Sequence, residues 1–250
     1  MPKRRLDVML VSRGLAPTRE RARALILAGD VLVGDVVVSK AGTAVEDTAP
    51  ITLRRPEHPW VGRGGLKLAH ALERFHLEVN GRLALDIGAS TGGFTDVLLA
   101  KGARKVVALD VGSGQLAWRL RNDPRVVSLE RLNARHLTPD QLPSDARRFD
   151  VVTIDVAFIS LAFILPVVPA VLARDGRVVA LVKPQFEAGR DEVGSGGIVR
   201  DPAVHARVLD AVTASAHQVG LTRLAIEPSP ITGAEGNREF LMLLAPTHDS

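Results

Sequence analysis

The sequence contains no cysteine. That removes disulfides, thiolate metal sites and cysteine nucleophiles from the available chemistry. Aromatic residues make up only 4% of the chain, with 2 Trp, 7 Phe and no Tyr. That argues against a broad aromatic platform for stacking bases, so recognition of a nucleic acid is expected to rely on shape and charge. The first ten residues, MPKRRLDVML, are basic but lack a long apolar core and a small-residue cleavage site. They read as the mature sequence of a cytoplasmic protein. A clean membrane span is also missing. Residues 151–173 are apolar and long enough to cross a bilayer, yet they include Asp155, Ser160, Pro166 and Pro169. A charge at bilayer depth is costly. A buried strand ending at Asp155 and followed by a core helix explains the stretch better.

What is present is an ordinary globular composition, 46% hydrophobic and 24% charged over 250 residues. That length holds one large domain or a large and a small one. The net charge is only +4, but it is unevenly placed. Residues 1–27 carry Lys3, Arg4, Arg5, Arg13, Arg19, Arg21 and Arg23 against Asp7 and Glu20, a surplus of +5, so the rest of the chain sums to −1. A surplus packed into one short segment points to a polyanion-binding face, or to a solvated helical surface.

The pattern along the chain suggests two domains. Residues 5–12 and 18–28 read as short helices separated by Gly14–Pro17. The runs at 31–33 and 36–38 flank Gly34-Asp35, which predicts a hairpin, and 51–53 adds a strand. The prolines and charges around residues 54–59 suggest a linker. We place an N-terminal domain at 1–55, a linker at 56–63 and the main domain at 64–250. In the main domain a helix follows Gly64. Strands are then expected at 83–87, 105–109, 126–129, 151–155 and 178–183. Helices are expected at 93–100, 115–121, 158–173 and 202–219. This alternation predicts a mostly parallel sheet covered on both faces. Residues 221–227 and 238–244 complete it as an antiparallel edge pair, for seven strands in all.

The strongest local motif is Asp86-Ile87-Gly88-Ala89-Ser90-Thr91-Gly92-Gly93-Phe94-Thr95. A buried strand enters a glycine-rich turn and then a helix, which lets the backbone approach a ligand closely. A dinucleotide fingerprint needs glycine where Ser90 stands, and an acid sits two residues before the first glycine. The pattern instead resembles motif I of class I methyltransferases, which use S-adenosylmethionine. Asp110 ends the next strand, where an acid can accept hydrogen bonds from both ribose hydroxyls of a nucleoside. That serves adenosylmethionine and NAD alike. By position, Val111, Gly112, Ser113 and Gln115, with Asn133, Ala134 and Arg135, should face the adenosine. Candidate cofactor-binding residues are therefore Asp86, Gly88, Ala89, Ser90, Gly92, Gly93, Phe94, Asp110, Val111, Asn133, Ala134 and Asp155.

Asp155 and Lys183 cap two otherwise apolar strands. The carboxyl ends of parallel strands open into the ligand crevice, so these two side chains are expected to meet there, as catalytic groups or as a solvated ion pair. Lys67 and Glu239 lie in segments that could approach the same crevice, though spacing alone does not bring them there.

A resemblance goes further. Lys67, Asp155, Lys183 and Glu239 fall where the Lys-Asp-Lys-Glu tetrad falls in RNA ribose 2′-O-methyltransferases of the FtsJ-like fold. Nearly the whole chain is similar to the TlyA family, also labelled hemolysin A-like. The stretches that carry this are Arg63-Gly64-Gly65-Leu66-Lys67-Leu68, the 86–95 turn, Asp155-Val156-Ala157-Phe158-Ile159-Ser160, Lys183-Pro184-Gln185-Phe186-Glu187 and Gly236-Asn237-Arg238-Glu239. Residues 1–53 resemble an S4 domain, a helix–helix–hairpin module that binds structured RNA. The resemblance implies an α/β protein, a Rossmann-like methyltransferase domain behind a small S4-like domain. It implies S-adenosylmethionine-dependent methylation of cytidine 2′-hydroxyls in rRNA of one or both subunits, with ribosomal RNA as partner.

On this reading Lys183 acts as base, with Lys67 as its cationic neighbour. Asp155 orients Lys183 and faces the sulfonium end of the cofactor, and Glu239 positions Lys67 or the ribose. No metal is required, because the leaving thioether is neutral. Lys3, Arg4, Arg5, Arg13, Arg19, Arg21, Arg23 and Arg63 are the candidate RNA contacts. Trp60 in the linker either stacks on a base or packs between domains. A monomer is the favoured state.

Other readings stay open. DNA, protein or a small molecule could accept the methyl group, but the Asn/Asp-Pro-Pro-aromatic element common in adenine and amide methylation is absent at Asp155-Val156-Ala157-Phe158. A non-catalytic RNA-binding protein would not need the tetrad. A membrane-active hemolysin would need a span that the sequence does not show.

Overall fold

The structure is a computed structural model that describes residues 3–16, 18–27, 29–53, 58–233 and 236–247, with Arg21 and Ala24 described in their backbone only. The chain divides into two compact units, Met1–Pro59 and Trp60–Ser250.

In the first unit, strand β1 (Lys3–Arg5) leads into helix α1 (Leu6–Ser12), and helix α2 (Arg19–Leu27) follows. Four short strands come next: β2 (Val31–Val33), β3 (Val36–Val37), β4 (Ala44–Glu46) and β5 (Ile51–Leu53). β2 lies between β3 and β5, and β1 pairs with β4. Gly34, at φ 62°, makes the β2–β3 turn in a conformation that disfavours side chains. Leu6, Met9 and Leu10 recur at helical spacing and close a small core with Ala22, Ile26, Val31, Val45 and Ile51. The two helices and the hairpin follow the sequence pattern. β1 and β4 do not, because each is three residues long and only Val45 among them is buried.

The second unit begins with helix α3 (Gly64–Arg74). Strands β6 (Leu83–Ile87), β7 (Lys105–Leu109), β8 (Val126–Leu129), β9 (Phe149–Ile154) and β10 (Leu172–Val182) follow, interleaved with helices α4 (Gly93–Ala100), α5 (Trp118–Arg121) and α6 (Val168–Val171). Helices α7 (Pro184–Glu187) and α8 (Pro202–Gln218) precede β11 (Leu221–Pro228) and β12 (Phe240–Pro246). The seven-stranded sheet runs β11-β12-β10-β9-β6-β7-β8. Its five central and right-hand strands are parallel. β12 inserts antiparallel between β10 and β11.

Alternation along the strands builds two cores. Leu85, Ile87, Val107, Val152, Ile154, Val178 and Ala180 face one side, where α8 supplies Val208, Val212 and Ala216. Ala84, Val106, Ala108, Val151, Val179 and Leu181 face the other, against Leu68 and Leu72 of α3 and Val97 and Leu98 of α4. Covering a parallel sheet on both faces is what makes its strands almost continuously apolar.

Three expectations need correction. Residues 158–173 are not one helix. Pro166 and Pro169 withhold backbone donors and crowd the preceding turn. The segment breaks into 3-10 turns at Leu161–Phe163 and Leu165–Val167 and the single turn of α6. The following strand starts at Leu172 rather than at 178. The helix expected at 115–121 is confined to Trp118–Arg121. Among the described residues, no helix is long and apolar enough to cross a membrane.

One ionisable group lies under the sheet's centre. Asp86 is fully buried in β6. It accepts hydrogen bonds from Thr95 Oγ1 at 2.7 Å and Thr153 Oγ1 at 2.9 Å. Burial pushes its carboxyl pKa up to about 6, and the two hydroxyls pull the other way. Between the ordinary carboxylate value and about 6, the folded chain therefore holds a proton that the unfolded chain has released. Stability should fall as pH rises through that window and level off above it. Asp86→Asn removes the ionisation. Relative to wild type, the variant should gain about 3 kcal/mol between pH ~4 and pH ~7. Urea unfolding of both proteins at the two pH values measures this, and an unchanged difference would refute it.

Candidate active site

Every strand end that matters lies along one edge of the sheet. β6 ends before Gly88, β7 before Asp110, β9 before Asp155 and β10 before Lys183. β12 runs the opposite way with Phe240 opposite Val182, so Glu239 arrives at that same edge. This is where open parallel sheets place their ligand crevice.

The glycine turn shapes the opening. Gly88 sits at φ 85°, and a Cβ there would lie 2.3 Å from the Asp155 carbonyl oxygen. No side chain fits at that distance. The amides of Gly88 and Ala89 both donate to the Leu109 carbonyl, at 2.8 and 3.0 Å. Gly92, at φ 98°, starts α4, and a Cβ there would strike Leu116 and Leu120. Gly93 packs backbone to backbone, its Cβ position 2.9 Å from the Gly65 amide nitrogen. Ser90 (φ 47°) and Phe158 (φ 62°) hold left-handed conformations without being glycine. Strain of that kind concentrates at functional sites.

Two adjoining hollows share Gly88, Ser90, Asp155 and Ala157. The larger, ≈ 470 Å³, is also lined by Asp110, Val111, Asn133, Ala134 and Phe158. The smaller, ≈ 260 Å³, takes in Gly64, Ala89, Gly93, Phe94 and Lys183. Asp110 braces the opening: Oδ2 accepts from the Ser90 amide at 2.8 Å and Oδ1 from the Gly112 amide at 2.7 Å. Asn133 Oδ1 accepts from the Arg135 amide at 3.1 Å and so caps the 3-10 turn beneath Ala134. Of the expected cofactor residues, Asp86 and Gly92 do not line either hollow. Asp86 lies one layer down, bound by the two threonines, and Gly92 is spent on helix packing. Phe158, 91% exposed at the mouth, was not singled out from sequence. Its position directly after the Asp155 strand end was the available signal.

The four tetrad residues form two ion pairs. Lys183 Nζ lies 2.6 Å from Asp155 Oδ1, with 12% and 21% of the side chains exposed. Lys67 Nζ donates to Glu239 Oε2 at 2.5 Å, and both are buried. The first pair opens into the smaller hollow. The second lies beside it: Lys67 is one helical turn from Gly64, whose Cβ position is 3.7 Å from Asp155 Oδ2. Each ammonium is matched by one carboxylate, so Lys67 reaches this edge already neutralised by Glu239.

The basic candidates are placed less uniformly. Arg63 donates to the Thr232 carbonyl at 3.2 Å. Lys3 is exposed on β1. Arg4 pairs with Asp47 at 3.8 Å. Arg13 donates to the carbonyls of Ala49 and Asp47. Arg5, Arg19 and Arg23 converge on Asp7. The Arg21 side chain lies outside the described residues, as do residues 54–57, which include the first two of the expected linker. Trp60 and Val61 pack against the core of the second unit, and a Cβ on Gly65 would collide with the Trp60 ring.

The buried Lys67–Glu239 pair makes a stability prediction. Removing one member strands an uncompensated charge, whereas removing both does not. Lys67→Met should lower unfolding free energy by about 3–5 kcal/mol, and Lys67→Met with Glu239→Leu should restore most of it. Chemical denaturation of the three proteins is the check. Equal losses in the single and double variants would contradict the pair's isolation from solvent.

Comparison with known proteins agrees with this architecture. Residues 60–245 match the FtsJ-like methyltransferase model, and residues 4–50 match the S4 domain. The 16S/23S rRNA (cytidine-2′-O)-methyltransferase TlyA of Mycobacterium tuberculosis is 50% identical over 98% of this chain and 91% of its own. Hemolysin A of Brachyspira hyodysenteriae is 42% identical over 95% of this chain and 98% of its own. A solved structure named as a hemolysin from Streptococcus thermophilus superposes with a TM-score of 0.77 at 45% identity, covering 100% of this chain and 90% of that one. With its glycine turn, its paired lysines and acids and its leading S4 domain, the chain belongs to the FtsJ-like methyltransferase family, in the branch that contains TlyA and hemolysin A.

Proposed function

We propose that this protein transfers a methyl group from S-adenosylmethionine to the ribose 2′-hydroxyl of cytidine in 16S rRNA, 23S rRNA or both. The observation that carries the proposal is the Lys183–Asp155 pair, which opens between the glycine turn and Asp110. The 50% identical relative is named a 16S/23S rRNA (cytidine-2′-O)-methyltransferase, which supports the choice of acceptor. Residues 1–55 would serve as the RNA-binding module and 64–250 as the catalytic domain. Residues 56–63 would join them, with Trp60 and Val61 already seated in the second unit.

The residues present fit the cofactor. Gly88 leaves bare backbone at the hollow's centre, and each Asp110 oxygen keeps a lone pair beyond the single amide it accepts. Gly88, Ala89 and Ser90 would face its amino-acid end, with Asp110, Val111, Asn133 and Ala134 around the nucleoside. When bound, it supplies an electrophilic methyl group on a positively charged sulfur. This chain's residues supply the rest. A ribose hydroxyl is a weak nucleophile until its proton is taken. Lys183, having first released its own proton to solvent, would take that proton as the neutral amine, and Asp155 would stabilise the ammonium that results. The Lys67–Glu239 pair would fix the far wall, so that hydroxyl and methyl stay in line.

The rim suits an RNA acceptor. Phe158, Phe163, Phe186, Arg135 and Arg190 line an open hollow next to the cleft. The Phe158 and Phe186 rings lie 5.1 Å apart, and the Arg135 guanidinium sits 4.5 Å over the Phe163 ring. Aromatic faces beside guanidinium groups suit an unstacked base with its phosphates.

Lys183→Ala should lower methyl transfer from tritiated S-adenosylmethionine to ribosomal subunits by about 10²–10⁴-fold. Cofactor affinity, measured separately, should stay near wild type, and wild-type turnover would sink the assignment. Mapping 2′-O-methyl groups in rRNA with and without the protein identifies the nucleotide. Deleting residues 1–58 should abolish modification of ribosomal substrate while the remaining domain still binds cofactor. Efficient modification by the truncated chain would remove the RNA-anchoring role.

A further inference from the structure

We propose that Asp7 is a positioning residue that assembles Arg5, Arg19 and Arg23 into one phosphate-binding fork for the backbone of structured RNA. This rests on the reading of the first unit as an RNA-binding module, and adds to it which arginines act together and what holds them.

Asp7 lies in the first turn of α1, and its side chain is fully buried. Arg5 grips both of its oxygens, Nε to Oδ1 at 3.0 Å and Nη2 to Oδ2 at 3.1 Å. Arg19 Nη2 donates to Oδ2 at 3.0 Å and Arg23 Nε to the same oxygen at 3.3 Å. The three come from two elements, Arg5 from β1 and the other two from one face of α2, a turn apart. Their hydrogen bonds hold the Asp7 carboxyl well below the usual carboxylate range, Arg5 contributing most.

Three guanidiniums on one carboxylate leave two net positive charges. A purely structural need to neutralise Asp7 would be met by Arg5 alone, which already makes the two-pronged bond. Arg19 and Arg23 add charge that the carboxylate does not require. Each of the three side chains stays about half exposed, at 51%, 53% and 51%. A guanidinium carries five N–H donors, so most of them face away from the carboxylate. Bare backbone flanks the cluster too: a Cβ on Gly42 would already touch Arg5 Nη1 at 3.4 Å.

Two other described arginines of this unit are used differently. Arg13 is tied to the carbonyls of Asp47 and Ala49, and Arg4 pairs with Asp47. Among the described arginines, the outward-facing excess is therefore concentrated at Asp7. Fixed guanidiniums lose less freedom on binding and present several charge-assisted donors to one phosphate.

The test turns on a sign. Asp7→Asn raises the net charge of the chain by one, so simple charge attraction would tighten RNA binding. If Asp7 positions the fork, the arginines separate and binding weakens. Filter binding of the full-length chain to purified 16S and 23S rRNA, between about 50 and 200 mM salt, reads both affinity and the salt slope. Asp7→Asn is expected to bind about tenfold more weakly, with the slope reduced by about one unit. Affinity equal to or above wild type overturns the proposal. Should Asp7→Asn unfold the unit, Arg5→Lys decides, because it keeps the charge but cannot grip both oxygens. Unchanged affinity and slope in that variant also overturn the proposal. Arg19→Gln with Arg23→Gln separates the two levels. If this pair binds rRNA like wild type, the RNA-binding reading of the unit fails with these arginines. If it binds weakly while Asp7→Asn does not, only the positioning role of Asp7 fails.

Discussion

The approach of Gly88 to the carbonyl of Asp155 is the constraint on which the rest of the site depends. β6 and β9 are hydrogen-bonded neighbours, and they stay paired to their last residues, where the Asp155 amide donates to the Ile87 carbonyl at 2.9 Å. The chain must then leave both strands through the same small volume. A Cβ at position 88 would fall 2.3 Å from the Asp155 oxygen, so any side chain would force the strands apart. Glycine lets the turn and the acid face each other across one opening. The backbone contact of Gly93 with Gly65 extends this economy of volume to α3 and α4, which carries Lys67 to the same edge.

Charge at that edge is kept in matched pairs. A buried ion loses several kcal/mol of hydration that only close partners can return. Lys183 has Asp155, Lys67 has Glu239, and the buried Asp96 has Arg119. Asp86 is handled otherwise: its carboxyl is met by two hydroxyls and no cation, which is why burial dominates its titration. The result is a carboxyl held by hydroxyls inside the sheet and an ion-paired layer at its rim.

The parallel strands were legible because each ends in a mostly apolar run closed by a glycine or a charge. Asp155 and Lys183 could be placed from the same signal, since a charged residue that ends an apolar strand has only the sheet edge to occupy. Lys67 and Glu239 could not. They are 172 residues apart, and only the insertion of β12 beside β10 brings Glu239 to the right end. The 158–173 stretch looked helical because its apolar residues are dense; its two prolines, visible all along, outweigh that density. Asp86 looked like a ligand because an acid ahead of a glycine turn gives no sign of which layer it faces. Asp7 was counted only as an offsetting charge. Yet it lies three residues from Leu10 and next to Leu6, on the side of α1 that is buried, which is where an acid with several arginine partners can sit.

The two units treat positive charge in opposite ways, and this separates binding from chemistry. In the second unit Lys183 and Lys67 at the cleft are each matched with an acid, so they project little field beyond contact distance. Selection there falls to shape and to hydrogen bonds at the Asp110 and Asp155 strand ends. In the first unit three arginines share one acid, and the unmatched charge extends outward over a Debye length, about 8–10 Å at physiological salt. Salt acts strongly on exposed charge and weakly on buried pairs. Ionic strength should therefore govern how tightly RNA is held far more than how fast the methyl group moves once the ribose is in place. A site built the other way, with the excess charge at the cleft, would hold phosphates where the hydroxyl has to be. Keeping the cleft neutral leaves that position to the ribose.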